Sequence, residues 1–264
     1  MKCPYKELYI YLADRRISER EEKLLGENYL GNWIEDDLSF LFFTRPEEER
    51  LKKLSIKIIE KYQIPYEQWH GEMYDSIKIG EFIIVPFWNT EKIKDDNVII
   101  LDPNVVFGNC LHPTTRDSLK AISLIFKEYM PKKVLDLGTG TGILAIASAR
   151  LGAEEVIAVD INPICIRVAK KNINLNKLED KIEVLLEDAA LTIRREKADL
   201  VIANIGYQVI KKIIDFLEAE YFVFSGILRS EISEARLLIE KRGYKIKEFD
   251  HEMTWYTMFG RRKR

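Results

Sequence analysis

One stretch decides the fold of this 264-residue chain: Val134-Leu-Asp-Leu-Gly-Thr-Gly-Thr-Gly-Ile-Leu-Ala-Ile-Ala-Ser-Ala149. It begins with an apolar run that is typical of a buried strand, breaks at Gly138, Gly140 and Gly142, and continues as a helix of small residues. Glycines in such a turn allow the backbone to approach a ligand closely, and the N–H groups at the helix start favour negative charge. The stretch therefore predicts a strand, a ligand-binding turn and a helix.

The spacing of these glycines distinguishes between two ligands. A dinucleotide-binding turn has the pattern G-x-G-x-x-G, whereas this chain has G-x-G-x-G with Asp136 two positions before the first glycine. The Asp136 carboxylate would repel a pyrophosphate and attract an ammonium group. Asp160 ends the next apolar run, where a carboxylate can hold the two hydroxyls of a ribose. We therefore expect S-adenosylmethionine, which carries both groups; a glycine turn without a ligand is the alternative.

Composition argues against several other classes of protein. A formal net charge of −2 gives no electrostatic basis for direct binding of nucleic acid or of an anionic membrane. The three cysteines, Cys3, Cys110 and Cys165, form no C-x-x-C pair, so we expect no disulfide framework, no metal site and a reducing compartment. The sequence shows no secretory signal and no apolar run long enough to cross a bilayer. We expect a cytoplasmic protein.

The chain divides by hydrophobic pattern into three parts: residues 1–62, 63–106 and 107–264. The first predicts a small α+β unit, the N-terminal module, with a strand in residues 5–13 and a helix that begins near Pro46 and buries residues as far as Ile59. The second predicts a connecting segment of two or three short strands. The third, the C-terminal domain, alternates strands with helices, which indicates α/β class and a parallel, doubly wound sheet covered on both faces.

Ligands of such sheets bind at the carboxyl ends of the strands, so the residues that follow each apolar run are the candidate site. We expect Asp188 to accept a hydrogen bond from the adenine amino group of the cofactor, and Asn204 to orient the methyl acceptor or to anchor the cofactor. The predicted cofactor-binding residues at these four strand ends are Asp136, Gly138, Gly140, Asp160, Ile161, Asp188, Ala189 and Asn204.

Several segments resemble one protein family. The F-G-T-G-x-H-P-T-T segment of the PrmA family, S-adenosylmethionine-dependent methyltransferases of ribosomal protein L11, is similar to Phe107-Gly-Asn-Cys-Leu-His-Pro-Thr-Thr115. The further matches occur in family order and spacing: the glycine stretch, Asp160-Ile-Asn-Pro163, Ala203-Asn-Ile205, Ser225-Gly-Ile-Leu228 and Trp255. The resemblance implies a seven-stranded Rossmann-like methyltransferase sheet with a reversed last strand, and an N-terminal module that holds a protein substrate.

The resemblance also implies particular site residues. Cofactor contacts are implied at Thr115, Gly138, Asp160 and Asn204, and Thr115 is indicated by the resemblance alone. His112 is a candidate general base, or a residue that fixes the loop before Pro113.

The chain departs from the family pattern in that same loop, where Asn109 and Cys110 replace Thr and Gly, and Leu111 precedes the histidine. Because a cysteine disfavours the positive φ that glycine adopts readily, we expect a reshaped acceptor pocket. The Cys110 thiol is either a nucleophile or a packing residue.

These observations predict an enzyme that transfers methyl groups from S-adenosylmethionine to lysine or N-terminal amines of a protein, with a large-subunit ribosomal protein as the candidate substrate. The chain lacks the N-P-P-Y sequence of related amide and base methyltransferases after the fourth strand. Two alternatives stay open: a methyltransferase of a small molecule or of another protein on the same scaffold, and a non-catalytic cofactor-binding protein. The sequence leaves the oligomeric state open.

Overall fold

The computed structural model describes residues 3–92, 97–251 and 254–263. The N-terminal module forms an antiparallel sheet of four strands in the order β2-β3-β1-β4. Its helices and strands are β1 (Glu7–Ala13), α1 (Glu19–Glu22), β2 (Tyr29–Glu35), β3 (Leu38–Phe43), α2 (Glu48–Lys53) and β4 (Ile58–Pro65). A reciprocal pair of hydrogen bonds between Ser18 and Glu21 caps α1.

The second helix of the module is shorter than predicted. It ends at Lys53, shortly before Ser55, which adopts a left-handed φ of 57°. Ile58 and Ile59 belong instead to β4, which pairs with β1. The prediction was wrong because this pairing joins segments that are far apart in the chain. β4 itself continues to Pro65, and the boundary of the module at residue 62 stays a prediction.

The connecting segment forms a small sheet of its own in the order β5-β6-β7, with β6 antiparallel to β5 and parallel to β7. Phe82 and Ile99 of this sheet share a buried cluster with Leu119 and Ile122 of the next helix. The segment therefore covers the outer side of that helix layer. Its elements are α3 (Tyr66–His70), β5 (Ile77–Ile79), β6 (Phe82–Pro86), a short 3-10 turn (Phe87–Lys92) and β7 (Val98–Leu101).

The C-terminal domain confirms the predicted fold class. Its seven strands lie in the order β10-β9-β8-β11-β12-β14-β13, and β14 runs in the opposite direction to the other six. None of the helices in the described ranges is long and apolar enough to cross a membrane. The elements are α4 (Pro113–Glu128), β8 (Lys133–Leu137), α5 (Ile143–Arg150), β9 (Glu155–Asp160), α6 (Pro163–Leu175), β10 (Ile182–Leu186), α7 (Ala189–Arg195), β11 (Leu200–Asn204), α8 (Tyr207–Ile214), β12 (Tyr221–Leu228), α9 (Ile232–Lys241), β13 (Tyr244–His251) and β14 (Trp255–Arg262).

The N-terminal module is packed directly against α6. Leu8 and Phe42 of the module share a buried cluster with Ile164 and Val168 of the helix. The side chain of Ile164 fills the space that a Cβ on Gly31 would need, since Cγ1 lies 2.3 Å from that position. The module and the helix therefore form one continuous core.

A buried polar group also joins the three parts of the chain. Asp102, which is fully buried, accepts a hydrogen bond of 2.8 Å from the Tyr5 hydroxyl and pairs with Lys171 at 2.5 Å. The Asn172 side chain accepts from the Asp102 backbone N–H at 2.7 Å and donates to the Thr141 carbonyl at 2.8 Å. This network connects the start of the chain, β7, α6 and the glycine turn.

Candidate functional site

The candidate site is a cavity of about 430 Å³ at the carboxyl ends of β8, β9, β10 and β11, a size typical of ligand sites. Of the predicted site residues, all except Asp136 line it: His112, Thr115, Gly138, Gly140, Asp160, Ile161, Asp188, Ala189 and Asn204. The topology thus brings together residues that the sequence places up to 92 positions apart, from His112 to Asn204.

The glycine turn between β8 and α5 is closely packed. Gly138 and Gly140 have φ values of 79° and 54°. A Cβ on Gly138 would lie 2.2 Å from Cγ2 of Ile205, and a Cβ on Gly140 would lie 2.6 Å from the carbonyl oxygen of Phe107. Both positions therefore require glycine, for conformation and for space.

The amide groups of this turn are already paired within the protein. The N–H groups of Gly138 and Thr139 donate to the Val159 carbonyl at 2.8 and 2.9 Å, and that of Gly140 donates to Oδ2 of Asp160 at 3.1 Å. These three amides are therefore not free to bind a ligand, and the expectation for the N–H groups at the start of α5 stays a prediction. Because these three N–H groups donate to β9, they cannot bind phosphate oxygens as the amides of a pyrophosphate site do.

Asp160 lies at the end of β9, beside the turn, as predicted. Its Oδ1 accepts from the Asn162 N–H at 3.0 Å, while Oδ2 takes the bond from Gly140. Burial raises the pKa of the Asp160 carboxyl above its ordinary value, and the two amide donors oppose this effect. The carboxylate is thus held rigidly at the cavity wall.

Asp136 is the exception among the predicted residues, because it lies behind the turn and is fully buried. Its Oδ2 accepts a 2.7 Å hydrogen bond from the Thr139 hydroxyl, and Oδ1 has no partner among the described residues. Burial raises the pKa of this carboxyl to about 6. A direct cofactor contact of Asp136 stays a prediction.

Asp188 begins α7 and caps it. Its Oδ1 accepts from the N–H groups of Ala190 and Leu191 at 2.8 and 3.2 Å. Since Oδ1 already accepts two hydrogen bonds from the helix, Oδ2 is the oxygen left for the predicted hydrogen bond from an adenine amino group. Ala189 lies beside it on the cavity wall.

Asn204, at the end of β11, is hydrogen-bonded to α4. Its Nδ2 donates to Oγ1 of Thr115 at 3.4 Å. Because Nδ2 points to Thr115, Oδ1 is the amide atom left to accept a hydrogen bond from a ligand. The resemblance indicated Thr115, and its position beside Asn204 gives it the physical role of orienting that amide.

His112 caps α4. Its Nδ1 accepts from the Thr114 N–H at 3.4 Å and lies 2.7 Å from the Thr114 hydroxyl. The imidazole packs edge-on against the rings of Phe107 and Trp255, with centroids 5.2 and 5.1 Å away. This geometry favours the alternative in which His112 fixes the loop.

The loop that departs from the family pattern turns its cysteine away from the cavity. Cys110 is fully buried, and burial raises the pKa of its thiol to about 11, so it is not an activated nucleophile. Its φ is nevertheless 62°, so the expectation that a cysteine would give up the positive φ is wrong. None of Asn109, Cys110 and Leu111 lines the cavity.

Sequence analysis assigned no site role to several residues that line the cavity, and one of them, Trp33 of β2, reaches it from the N-terminal module. No local pattern marks it, because its role depends on how the module packs against α6. In the described ranges, no cluster of three or more His, Cys, Asp or Glu side chains is arranged to hold a metal ion.

The seven-stranded sheet with one reversed strand, and the cavity at its carboxyl edge, define a Rossmann-like methyltransferase fold. The chain belongs to the family described as ribosomal protein L11 methyltransferase (PrmA), whose model matches residues 32–263. The predicted family is therefore confirmed.

Curated relatives and a solved structure agree with this assignment. A ribosomal protein L11 methyltransferase of Carboxydothermus hydrogenoformans is 38% identical over 81% of this chain and 73% of its own length. One from Staphylococcus epidermidis is 34% identical over 74% of this chain and 64% of its own length. The crystal structure of a ribosomal protein L11 methylase from Lactobacillus delbrueckii subsp. bulgaricus is similar with a TM-score of 0.60 and 28% identity, covering 72% of this chain and all of that chain.

Proposed function

We propose that this protein transfers methyl groups from S-adenosylmethionine to lysine or N-terminal amino groups of a protein, with a large-subunit ribosomal protein as the substrate. One observation carries the proposal: Asp160 at the end of β9 and Asn204 at the end of β11, two strands on either side of β8, line one cavity. The family assignment and the names of the relatives support the substrate class.

The residues of the cavity fit this cofactor. The Gly138 turn leaves no space for a Cβ, and Asp160 presents a fixed carboxylate to a ribose. Behind the turn, the buried Oδ1 of Asp136 has no hydrogen-bond partner among the described residues and would suit an ammonium group. Asp188 and Ala189 would hold the adenine. When bound, the cofactor supplies an electrophilic methyl group on a sulfonium.

The acceptor amine must enter the site without its proton. The apolar side chains of Phe107, Ile205 and Trp255 line the cavity and disfavour a charged amine, which lowers the pKa of that amine. Oδ1 of Asn204, oriented by Thr115, would accept an N–H hydrogen bond and direct the nitrogen lone pair. These residues align the acceptor and exclude water.

A protein acceptor is also favoured by the loop of residues 109–111. Asn109 binds the carbonyl of His70 at 2.8 Å through Nδ2, so the departures from the family pattern anchor the loop to the connecting segment. None of the three residues lines the cavity. We propose that the N-terminal module, residues 1–62 with the end of β4, holds the protein substrate beside it.

The test uses the full chain with methyl-labelled S-adenosylmethionine and three acceptors: ribosomal large subunits, ribosome-free protein and a protein-free metabolite fraction. Label on lysine or N-terminal amines of a large-subunit protein, located by mass spectrometry, is expected. Label in metabolites alone would replace the proposal with the small-molecule alternative, and cofactor binding without transfer would favour a binding protein. Asn204→Ala is expected to lower kcat about 100-fold or more. The matched control Asn174→Ala, exposed on α6, is expected to have no effect.

A further inference from the structure

The N-terminal module contributes a side chain to the cofactor cavity. Trp33 lies on β2, the edge strand of the module that packs against α6, and it is 39% exposed. It lines the same cavity as Asp160 and Ile161. A module whose only task is to hold a protein substrate does not need an indole in this position.

The position of Trp33 follows from strand alternation. Gly31 and Trp33 lie on the same face of β2, and Gly31 abuts Ile164 in the first turn of α6. Their partners across the sheet, Phe42 and Phe40, belong to the cluster that contains Ile164. Trp33 therefore extends this packed face toward the N-terminus of α6.

The residues at that end of α6 belong to the nucleoside half of the proposed site. Asp160 and Ile161 directly precede the helix cap Asn162, and Cys165 of the first turn also lines the cavity. An indole beside a site for ribose and adenine offers a flat apolar surface on which a base can stack.

We infer that Trp33 binds the nucleoside half of S-adenosylmethionine, so that the N-terminal module completes the cofactor site. The inference rests on the proposed function, because it assumes this cofactor. It makes cofactor affinity dependent on a residue of the module. Deleting the module would expose the core that it shares with α6, so point variants of the full chain are the appropriate test.

Titration calorimetry should compare two probes: S-adenosylhomocysteine, which carries both halves, and methylthioadenosine, which carries the nucleoside half. Trp33→Ala is expected to raise the Kd of both by the same factor, about 10-fold or more. Trp33→Phe keeps an aromatic face and is expected to stay within about 3-fold of the wild type. Tyr62→Ala is the matched control, since Tyr62 is 45% exposed on β4 of the same sheet and lies outside the cavity.

Thermal unfolding of each variant shows whether it is folded, and rescue by Trp33→Phe separates a binding role from a loss of structure. Unchanged Kd values for a folded Trp33→Ala would overturn the inference while leaving the proposed function intact. An effect on S-adenosylhomocysteine without one on methylthioadenosine would also overturn it, because the contact would then be to the amino-acid half. Failure of the wild-type protein to bind either probe would instead refute the proposed function.

Discussion

The backbone N–H of Gly140 donates a 3.1 Å hydrogen bond to Oδ2 of Asp160. This bond joins the glycine turn after β8 to the end of β9, so the turn and Asp160 form one rigid wall of the cavity. It also uses an amide that a phosphate would otherwise need. The glycine turn is therefore not arranged as a phosphate site.

The steric demand on Gly138 predicts a large effect of a single methyl group. Gly138→Ala is expected to lower the free energy of unfolding by about 2–4 kcal/mol, because φ is positive and Ile205 occupies the space. Denaturant unfolding measures this change. In the Ile205→Ala background, where the obstructing side chain is gone, Gly138→Ala should lower the free energy of unfolding by less than it does in the wild type. A Gly138→Ala protein as stable as the wild type would contradict the packing of the turn.

Asp188 has two separable roles, as a helix cap and as a proposed adenine contact. Asp188→Asn preserves the cap through the amide oxygen, so stability is expected to change by less than about 0.5 kcal/mol. The second oxygen is replaced by an NH₂ group, so the Kd for S-adenosylhomocysteine should rise about 10-fold. Asp188→Ala should lose about 1 kcal/mol of stability as well. Unchanged affinity of both variants for S-adenosylhomocysteine would contradict the proposed contact between Asp188 and adenine.

Asp136 predicts a pH dependence of stability in the cofactor-free protein. Its pKa of about 6 when folded lies above the ordinary value of 3.8, so the stabilisation is complete below about pH 4 and is lost as pH rises through 6. The loss amounts to roughly 3 kcal/mol. The difference in unfolding free energy between the wild type and Asp136→Asn, measured with denaturant between pH 4 and 7, should show this slope. Parallel curves for the two proteins would contradict it.

For His70 we predict a pH dependence of stability with the opposite sign. The ring is buried and stacked on Tyr66, with neither nitrogen bonded to a described residue, and burial lowers its pKa. The folded protein disfavours the charged imidazole, so stability should fall as pH drops below about 6.5. His70→Phe should abolish this fall and raise stability near pH 6. Comparing each variant with the wild type separates this effect from that of Asp136.

The Cys110 thiol is predicted to be inert. Its burial and raised pKa should make it react with a thiol reagent more slowly than the partly exposed Cys3 by about 100-fold or more. Cys110→Ala is expected to retain methyl transfer within about 3-fold. Rapid labelling of Cys110 in the folded protein, located by peptide mapping, or loss of kcat in a folded Cys110→Ala, would restore its candidacy as a nucleophile.

Part of the site was readable from the sequence because it depends on local pattern. The glycine turn, the aspartate at the end of β9 and the alternation of strands with helices are encoded within short windows. Carboxyl ends of parallel strands meet at one edge, so Gly138, Asp160 and Asn204 were expected together and are found in one cavity. The same reasoning failed at Ile58, where a periodic apolar pattern suited a helix and long-range pairing with β1 gave a strand.

The sequence by itself therefore determined the class of sheet, the glycine turn and the polar residues at its edge, since these follow from periodicity and from the needs of a known chemistry. Only the tertiary structure decided that Asp136 lies behind the cavity, that Cys110 points into the core, and that Trp33 enters the site from another part of the chain. The physical reason is that side-chain burial and contacts between distant segments are set by packing, in which every neighbour competes for the same space.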